Sequence, residues 1–415
     1  MQDTHQPKTI TPYTFKTMTE KDKTNEAQTG TDEFDEIRPY NDDEVRQVLQ
    51  ELLHDRQFAT LLKGFVPWMP RWLRNGLLRA SFIGIDSTMG FQLRFMKPVV
   101  KHILRKCSSG YSFGHSCINN GEERYTFISN HRDIVLDSAI LDVMLYENHF
   151  PTTCEIAIGD NLLSLPWVKD LVRLNKSFIV QRSLSPREFL MASKKMAEYM
   201  HYVVGEKNDN IWIAQREGRA KDSNDRTQPS ILKMMAMGGE GSPVDRLRQL
   251  HIVPLAISYE YDPCDFLKAA EFQLRRDVPG WKKTALDDVN SMRTGIMGYK
   301  GEVHYHCAPC IDGFLDNLSP DIPKTKVFDV IAEHIDKEIF RNYRLYPSNY
   351  IALDMLEGNE AHAGRYTAED KAAFEKYLQG QIARIDIPNK DEAFLRERML
   401  TMYANPARNS LAVTD

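Results

Sequence analysis

From Arg124 to about Cys310 the chain alternates short apolar runs with amphipathic stretches. The runs at 125–129, 154–158, 177–181, 211–214, 251–258 and 303–307 are rich in β-branched and aromatic residues and predict strands. Helical stretches separate most of them. One opens with Ser185-Pro186-Arg187-Glu188, which places an N-cap serine, a proline at the first helical position and a glutamate at the third. Strand–helix alternation of this kind predicts an α/β sheet with helices on its faces. After Leu318 the pattern is helical, and Thr367-Ala368-Glu369-Asp370 marks another capped start. Upstream, Asn41 with Glu44 three residues on predicts a capping box. No internal repeat is visible.

The pattern divides the chain into four parts: a polar, acidic tail over 1–40, expected to be disordered; a helical, basic, amphipathic region over 41–123; an α/β domain over 124–318; and a helical region over 319–415. The second part contains an unusual stretch. Between 57 and 108, lysine or arginine stands at 63, 71, 74, 79, 94, 97, 101, 105 and 106, against Asp86 as the sole acid. Phe65, Trp68, Met69, Trp72, Leu77, Leu78, Phe82, Phe91, Phe95 and Met96 lie among them. Aromatics among cations suit an anionic membrane surface. The same pattern also suits helices that pack an apolar face on the core and leave their cations in solvent, and both readings stand at this level.

Composition narrows the choices. The 415 residues carry a net charge of −5, which argues against a general nucleic-acid binder. Six scattered cysteines are too few for a disulfide framework in a chain of this length, so a reducing, cytosolic setting is expected. Residues 1–44 show no apolar signal-peptide region, and no apolar run reaches the ~18 residues of a spanning helix.

Candidate chemistry begins where the first run ends. Tyr125-Thr126-Phe127-Ile128 stops at Ser129-Asn130-His131-Arg132-Asp133, and a second apolar run containing Asp137 follows. His-Arg-Asp opens a kinase catalytic loop, but that loop needs an asparagine five residues after the aspartate, where this chain has Ser138. It also lacks a DFG triplet and a G-x-G-x-x-G loop. Acyl transfer fits better. A histidine can take the proton from a hydroxyl attacking a thioester, a carboxylate can orient the ring, and cations can hold an anionic acceptor.

Three further stretches follow in order: Ile158-Gly159-Asp160-Asn161 with Gln181-Arg182-Ser183; Gln215-Arg216-Glu217-Gly218-Arg219-Ala220-Lys221; and Ile252-Val253-Pro254-Leu255-Ala256-Ile257. With the His131 stretch, their order and spacing resemble the four blocks of the glycerolipid acyltransferase superfamily, over roughly residues 124–260. The resemblance implies an α/β fold, a mixed sheet flanked by helices, here with helical N-terminal and C-terminal additions. It implies His131 as general base and a carboxylate orienting it. The family spaces these residues by four. Here five separate His131 from Asp137 and one separates it from Asp133; Asp137, at the head of the next helix, is the expected partner through a one-residue insertion. Glu217, Gly218, Arg219 and Lys221, with Arg182 and Arg132, are implied as the acceptor-binding set. Transfer is implied to be direct, with no cofactor and no metal. No Gly-x-Ser-x-Gly elbow appears, in keeping with that.

His304, His306, Cys307 and Cys310 invite a metal reading, but a strand over 303–307 turns His304 and His306 to one face and Cys307 to the other. The expected activity is O-acylation of glycerol-3-phosphate or its 1-acyl derivative by acyl-CoA or acyl carrier protein, on the inner face of an anionic membrane. The alternatives are a hydroxylated amino-acid lipid or other lyso-lipid as acceptor, and a non-catalytic lipid-binding protein.

Overall fold

The computed structural model describes residues 33–59, 70–119, 121, 123–163, 165–182 and 184–414. The expected tail therefore lies outside the described residues as far as 32, as do Phe65, Trp68, Met69 and Ser183. Residues from Arg38 onward form one compact unit.

Among the described residues seven strands make one sheet in the order β1-β7-β6-β2-β5-β3-β4: β1 Gly110–Gly114, β2 Thr126–Ser129, β3 Cys154–Gly159, β4 Ser177–Val180, β5 Asn210–Ala214, β6 Ile252–Tyr259 and β7 Glu302–Cys307. β2, β3, β4, β5 and β6 run parallel; β7 lies antiparallel to β6, and β1 parallel to β7. The sheet is thus mixed. From β2 the chain builds β3 and then the outer β4 on one side, returns to insert β5 between β2 and β3, and crosses to build β6 and β7 on the other. That reversal opens a crevice at the carboxyl end of β2, where ligands gather in open α/β sheets.

Six of the strands match the apolar runs to within about two residues at either end. β1 does not, because it sits at the sheet edge with every residue only half-buried and no continuous apolar run to betray it. A Cβ on Gly114 would run into the His306 ring on β7, so a larger residue there would have to push that side chain aside. The region 41–123 is consequently not wholly helical, and the sheet begins near 110 rather than 124.

The amphipathic stretch divides. Leu78, Phe82 and Phe91 are buried with the helix Asp42–His54 and with Leu174, and Phe95 and Met96 pack on them, so this part is core. Trp72 (75% exposed), Leu77 and Ile83 (76% exposed) remain in solvent. The capping boxes at Asn41, Ser185 and Thr367 all form. The helix Glu392–Thr414 buries Leu395, Met399, Leu400, Tyr403, Ala404 and Ala407 on one face, against the helices Pro347–Glu357, Asp265–Asp277 and Ala368–Ala383. Each large apolar side chain there contributes about 1.5–3 kcal/mol.

The helix Leu136–Glu147 carries a buried acid, Asp142. It accepts from the Cys154 backbone N–H at 2.8 Å and from Gln92 Nε2 at 3.1 Å, yet burial pushes its carboxyl up to about 7. A carboxyl raised on folding binds its proton more tightly in the folded state, so this contribution is greatest at low pH and is lost as pH rises from about 4 to about 7. Asp142→Asn does not titrate. Relative to that variant, the wild type should lose about 1.4 kcal/mol of stability per pH unit between pH 5 and 7 and little beyond. Denaturant unfolding of both proteins at pH 5, 6, 7 and 8.5 measures the slope; a constant difference would mean that Asp142 titrates as an ordinary carboxylate.

Candidate active site

The carboxyl end of β2 is pinned before it reaches the chemistry. Asn130, fully buried, donates from Nδ2 to the Ile257 carbonyl at 2.9 Å, and its Oδ1 accepts the Ile257 N–H at 2.8 Å. This two-way amide clamp ties the exit of β2 to β6. The next residue, His131, emerges with its side chain 12% exposed. Its ring meets the Trp212 indole edge-on, centroids 5.6 Å apart, while Trp212 Nε1 donates to Ser129 Oγ at 3.1 Å. An aromatic wall on β5 and a pinned strand therefore set the imidazole plane.

His131 Nδ1 lies 2.8 Å from Asp137 Oδ2. The same oxygen accepts the backbone N–H groups of Arg132 at 2.6 Å and Asp133 at 3.1 Å, and Oδ1 accepts the Tyr259 hydroxyl at 3.1 Å. Burial holds the Tyr259 phenol far above its usual range, so it stays a donor. With Nδ1–H given to Asp137, Nε2 keeps its lone pair. Four donors on one carboxylate leave it little freedom, and the dyad has the form that orients a general base.

Asp133 has a different task. Its Oδ1 accepts the N–H groups of Val135 at 2.9 Å and Leu136 at 2.8 Å, capping the helix Leu136–Glu147. Burial, then the charge of Asp137, raises its carboxyl above the usual range. The helix Ala285–Met297 packs close on it; a Cβ on Gly295 would meet Asp133 Oδ2 at 2.0 Å. Of the two carboxylates near His131 in sequence, Asp137 bonds the ring and Asp133 caps the helix.

The expected acceptor cations fall into two groups. Arg132, Lys221 and Arg182 are already paired. Arg132 Nη2 meets Asp225 Oδ2 at 3.0 Å in a buried ion pair, and Asp225 Oδ1 also accepts the Ala220 N–H, so this pair fastens the loop after β5 to the His131 loop. Lys221 pairs with Glu271 at 2.9 Å, and Arg182 with Glu217 at 3.2 Å. The Arg182–Glu217 pair is exposed and held lightly. Gly159 makes room for it, since a Cβ there would touch the Arg182 guanidinium at 3.0 Å.

Arg219 differs. Burial works against its charge, but Cys264, Asp133 and Asp262 around it outweigh that and hold it above its usual range. One end of its guanidinium, Nη1, is buried with no hydrogen-bond partner. Gly218 before it has φ +65°, the left-handed conformation that a side chain resists, and this turn sends Arg219 inward. Asn130, Trp212, Asp225 and Tyr259 escaped sequence reasoning. Their roles depend on pairings between strands that no local spacing reveals.

The acyltransferase family model matches residues 111–258, which span β1 to β6. Comparison with curated proteins gives no match. Among solved structures, the chain is similar to the 1-acyl-sn-glycerophosphate acyltransferase PlsC from Thermotoga maritima, at 11% identity and a TM-score of 0.37, over 69% of this chain and 97% of that one. The matched region holds His131, Asp137 and the loop after β5, and the four sequence blocks lie within it; residues 111–258 are thus similar to the acyltransferase family.

Proposed function

We propose that the protein moves a fatty acyl group from a thioester, acyl-CoA or acyl carrier protein, to the hydroxyl of glycerol-3-phosphate or 1-acylglycerol-3-phosphate. The observation that carries this reading is the His131–Asp137 dyad at the carboxyl end of β2, inside the region that matches the acyltransferase family. His131 Nε2 takes the hydroxyl proton as the oxygen attacks the thioester carbonyl. Asp137 stabilises the imidazolium that forms. The C–S bond then breaks, and the thiolate leaves with the proton returned from His131. No acyl-enzyme is involved. Arg219, with its unpartnered Nη1, is the acceptor-side cation that can take a new anionic ligand without breaking an ion pair.

One observation favours a second acceptor class. Three of the four expected phosphate ligands are already in ion pairs, which lowers the positive charge open to a phosphate. A hydroxylated amino-acid lipid or other lyso-lipid asks for less.

We place the reaction on the anionic inner face of a membrane, from the cytoplasmic side. No helix among the described residues is long and apolar enough to cross a membrane. Exposed Trp72, Leu77 and Ile83 support surface contact, as do Leu165, Leu184, Phe189, Leu190 and Met191, which follow β3 and β4 at the same end of the sheet as His131.

The test incubates purified protein on anionic vesicles with labelled acyl-CoA or acyl carrier protein and a panel of acceptors, and identifies the lipid formed. Acylated glycerol phosphate is the expected product. Turnover on unphosphorylated acceptors alone would select the second class, and thiol release without any lipid product would remove both. Turnover should fall on zwitterionic vesicles and in high salt, because the surface attraction is screened.

A further inference from the structure

At the opposite end of the sheet from His131, the chain leaving β7 runs back along the start of β6. The N–H groups of Ala308 and Ile311 donate to the carbonyls of Pro254 and Ile252, both at 2.9 Å. This pairing carries Cys310 and Asp312 to His251, the residue just before β6. A nitrogen of His251, Sγ of Cys310 and a carboxylate oxygen of Asp312 all lie within 4.8 Å of one another. Among the described residues this is the one such cluster of three metal-ligating groups. A second observation points to a ligand. Asp312 Oδ1 is buried with no hydrogen-bond partner, although Oδ2 bonds His251 Nδ1 at 2.6 Å. A buried carboxylate oxygen left unpaired is destabilising unless something satisfies it. Sequence spacing had tied Cys310 to His304, His306 and Cys307. In the structure His304 and His306 share one face of β7 with rings 5.8 Å apart, Cys307 is buried in the core, and Cys310 joins a different histidine.

We propose that His251, Cys310 and Asp312 form a zinc site that ties the entry of β6 to the exit of β7. Zinc accepts imidazole nitrogen, thiolate and carboxylate together, at bond lengths of about 2.0–2.3 Å. A tetrahedral centre with such bonds sets its ligand atoms about 3.3–3.6 Å apart. To reach that size the His251–Asp312 hydrogen bond opens from 2.6 Å and Cys310, within 4.8 Å of both, moves in. Binding releases the thiol proton to solvent and leaves Cys310 as thiolate; the Asp312 oxygen gains its missing partner, and the fourth position is open to water. The site is remote from the dyad, so it acts on stability.

Cobalt, which takes zinc ligand sets and absorbs visibly, is the probe. The full chain is stripped with a chelator under reducing conditions and titrated with Co²⁺. One equivalent should produce a thiolate-to-cobalt charge-transfer band in the near ultraviolet, and one equivalent of Zn²⁺ should bleach it. Zn²⁺ should also raise Tm by about 3 °C or more. Cys310→Ser should abolish the band, and His251→Asn and Asp312→Asn should each weaken cobalt binding at least tenfold. Cys117→Ser, which removes the exposed cysteine, should change neither. The proposal is overturned by the absence of a band, by a band that survives Cys310→Ser, or by a Tm that zinc leaves unchanged. If Cys310→Ser does not fold, the titrations of His251→Asn and Asp312→Asn decide: unaltered affinity in both overturns it.

Discussion

His131→Ala should lower kcat by about 10²–10⁴-fold, the usual cost of losing a positioned general base, with the fold intact. The structural cost is small because the side chain reaches solvent and takes one of four hydrogen bonds on Asp137. The backbone donors at Arg132 and Asp133 and the Tyr259 hydroxyl remain, so stability should change by only about 1 kcal/mol. Release of free thiol from an acyl thioester in the presence of acceptor measures turnover, and circular dichroism melting checks the fold. A variant that folds and keeps more than a tenth of the wild-type kcat would remove His131 from the proton transfer.

Asp137→Asn should come next in severity, with kcat down by about 10²–10⁴-fold, whereas Asp133→Asn should stay within about tenfold of wild type. The contrast follows from what each oxygen touches. At position 137 an asparagine can turn its carbonyl toward the three donors on Oδ2 and its amide toward the Tyr259 hydroxyl, which can accept. The fold and the ring orientation survive, and what disappears is the negative charge facing the imidazolium. At position 133 the carbonyl of an asparagine still caps Val135 and Leu136. Rate measurements on both variants, with melting curves, compare them directly. Greater damage at 133 would move the dyad to His131–Asp133 and contradict the hydrogen bonding at the end of β2.

Both variants bear on the spacing that the sequence left open. One residue more than the family spacing lies between His131 and its carboxylate. The loop absorbs it by using Asp133 as a cap, so that the helix Leu136–Glu147 begins later while its first turn still points Asp137 at the ring. A local count cannot tell an orienting carboxylate from a capping one, since both sit near a helix start for good electrostatic reasons.

By itself the sequence determined six of the seven described strands, the capped helix starts and the place of His131 at a strand end. These are local matters: apolar runs bury wherever the sheet forms, and a cap depends on residues three apart. It also determined, through the order of its four blocks, the kind of chemistry to expect. Tertiary structure decided the rest. β1 has no apolar run and exists because the edge of β7 offers it hydrogen-bond partners over Gly110 to Gly114. The stretch 57–108 is partly core and partly exposed among its described residues because Phe82, Phe91 and Phe95 find one another and the helix Asp42–His54, while Trp72 and Ile83 stay exposed. Arg132, Lys221 and Arg182 looked alike in sequence to Arg219. Their acidic partners lie 93, 50 and 35 residues away, and only folding decides which guanidinium or ammonium is already paired and which keeps an N–H to offer. Charge pairing over such distances depends on which strands lie side by side, and a linear reading of residue types carries no record of that order.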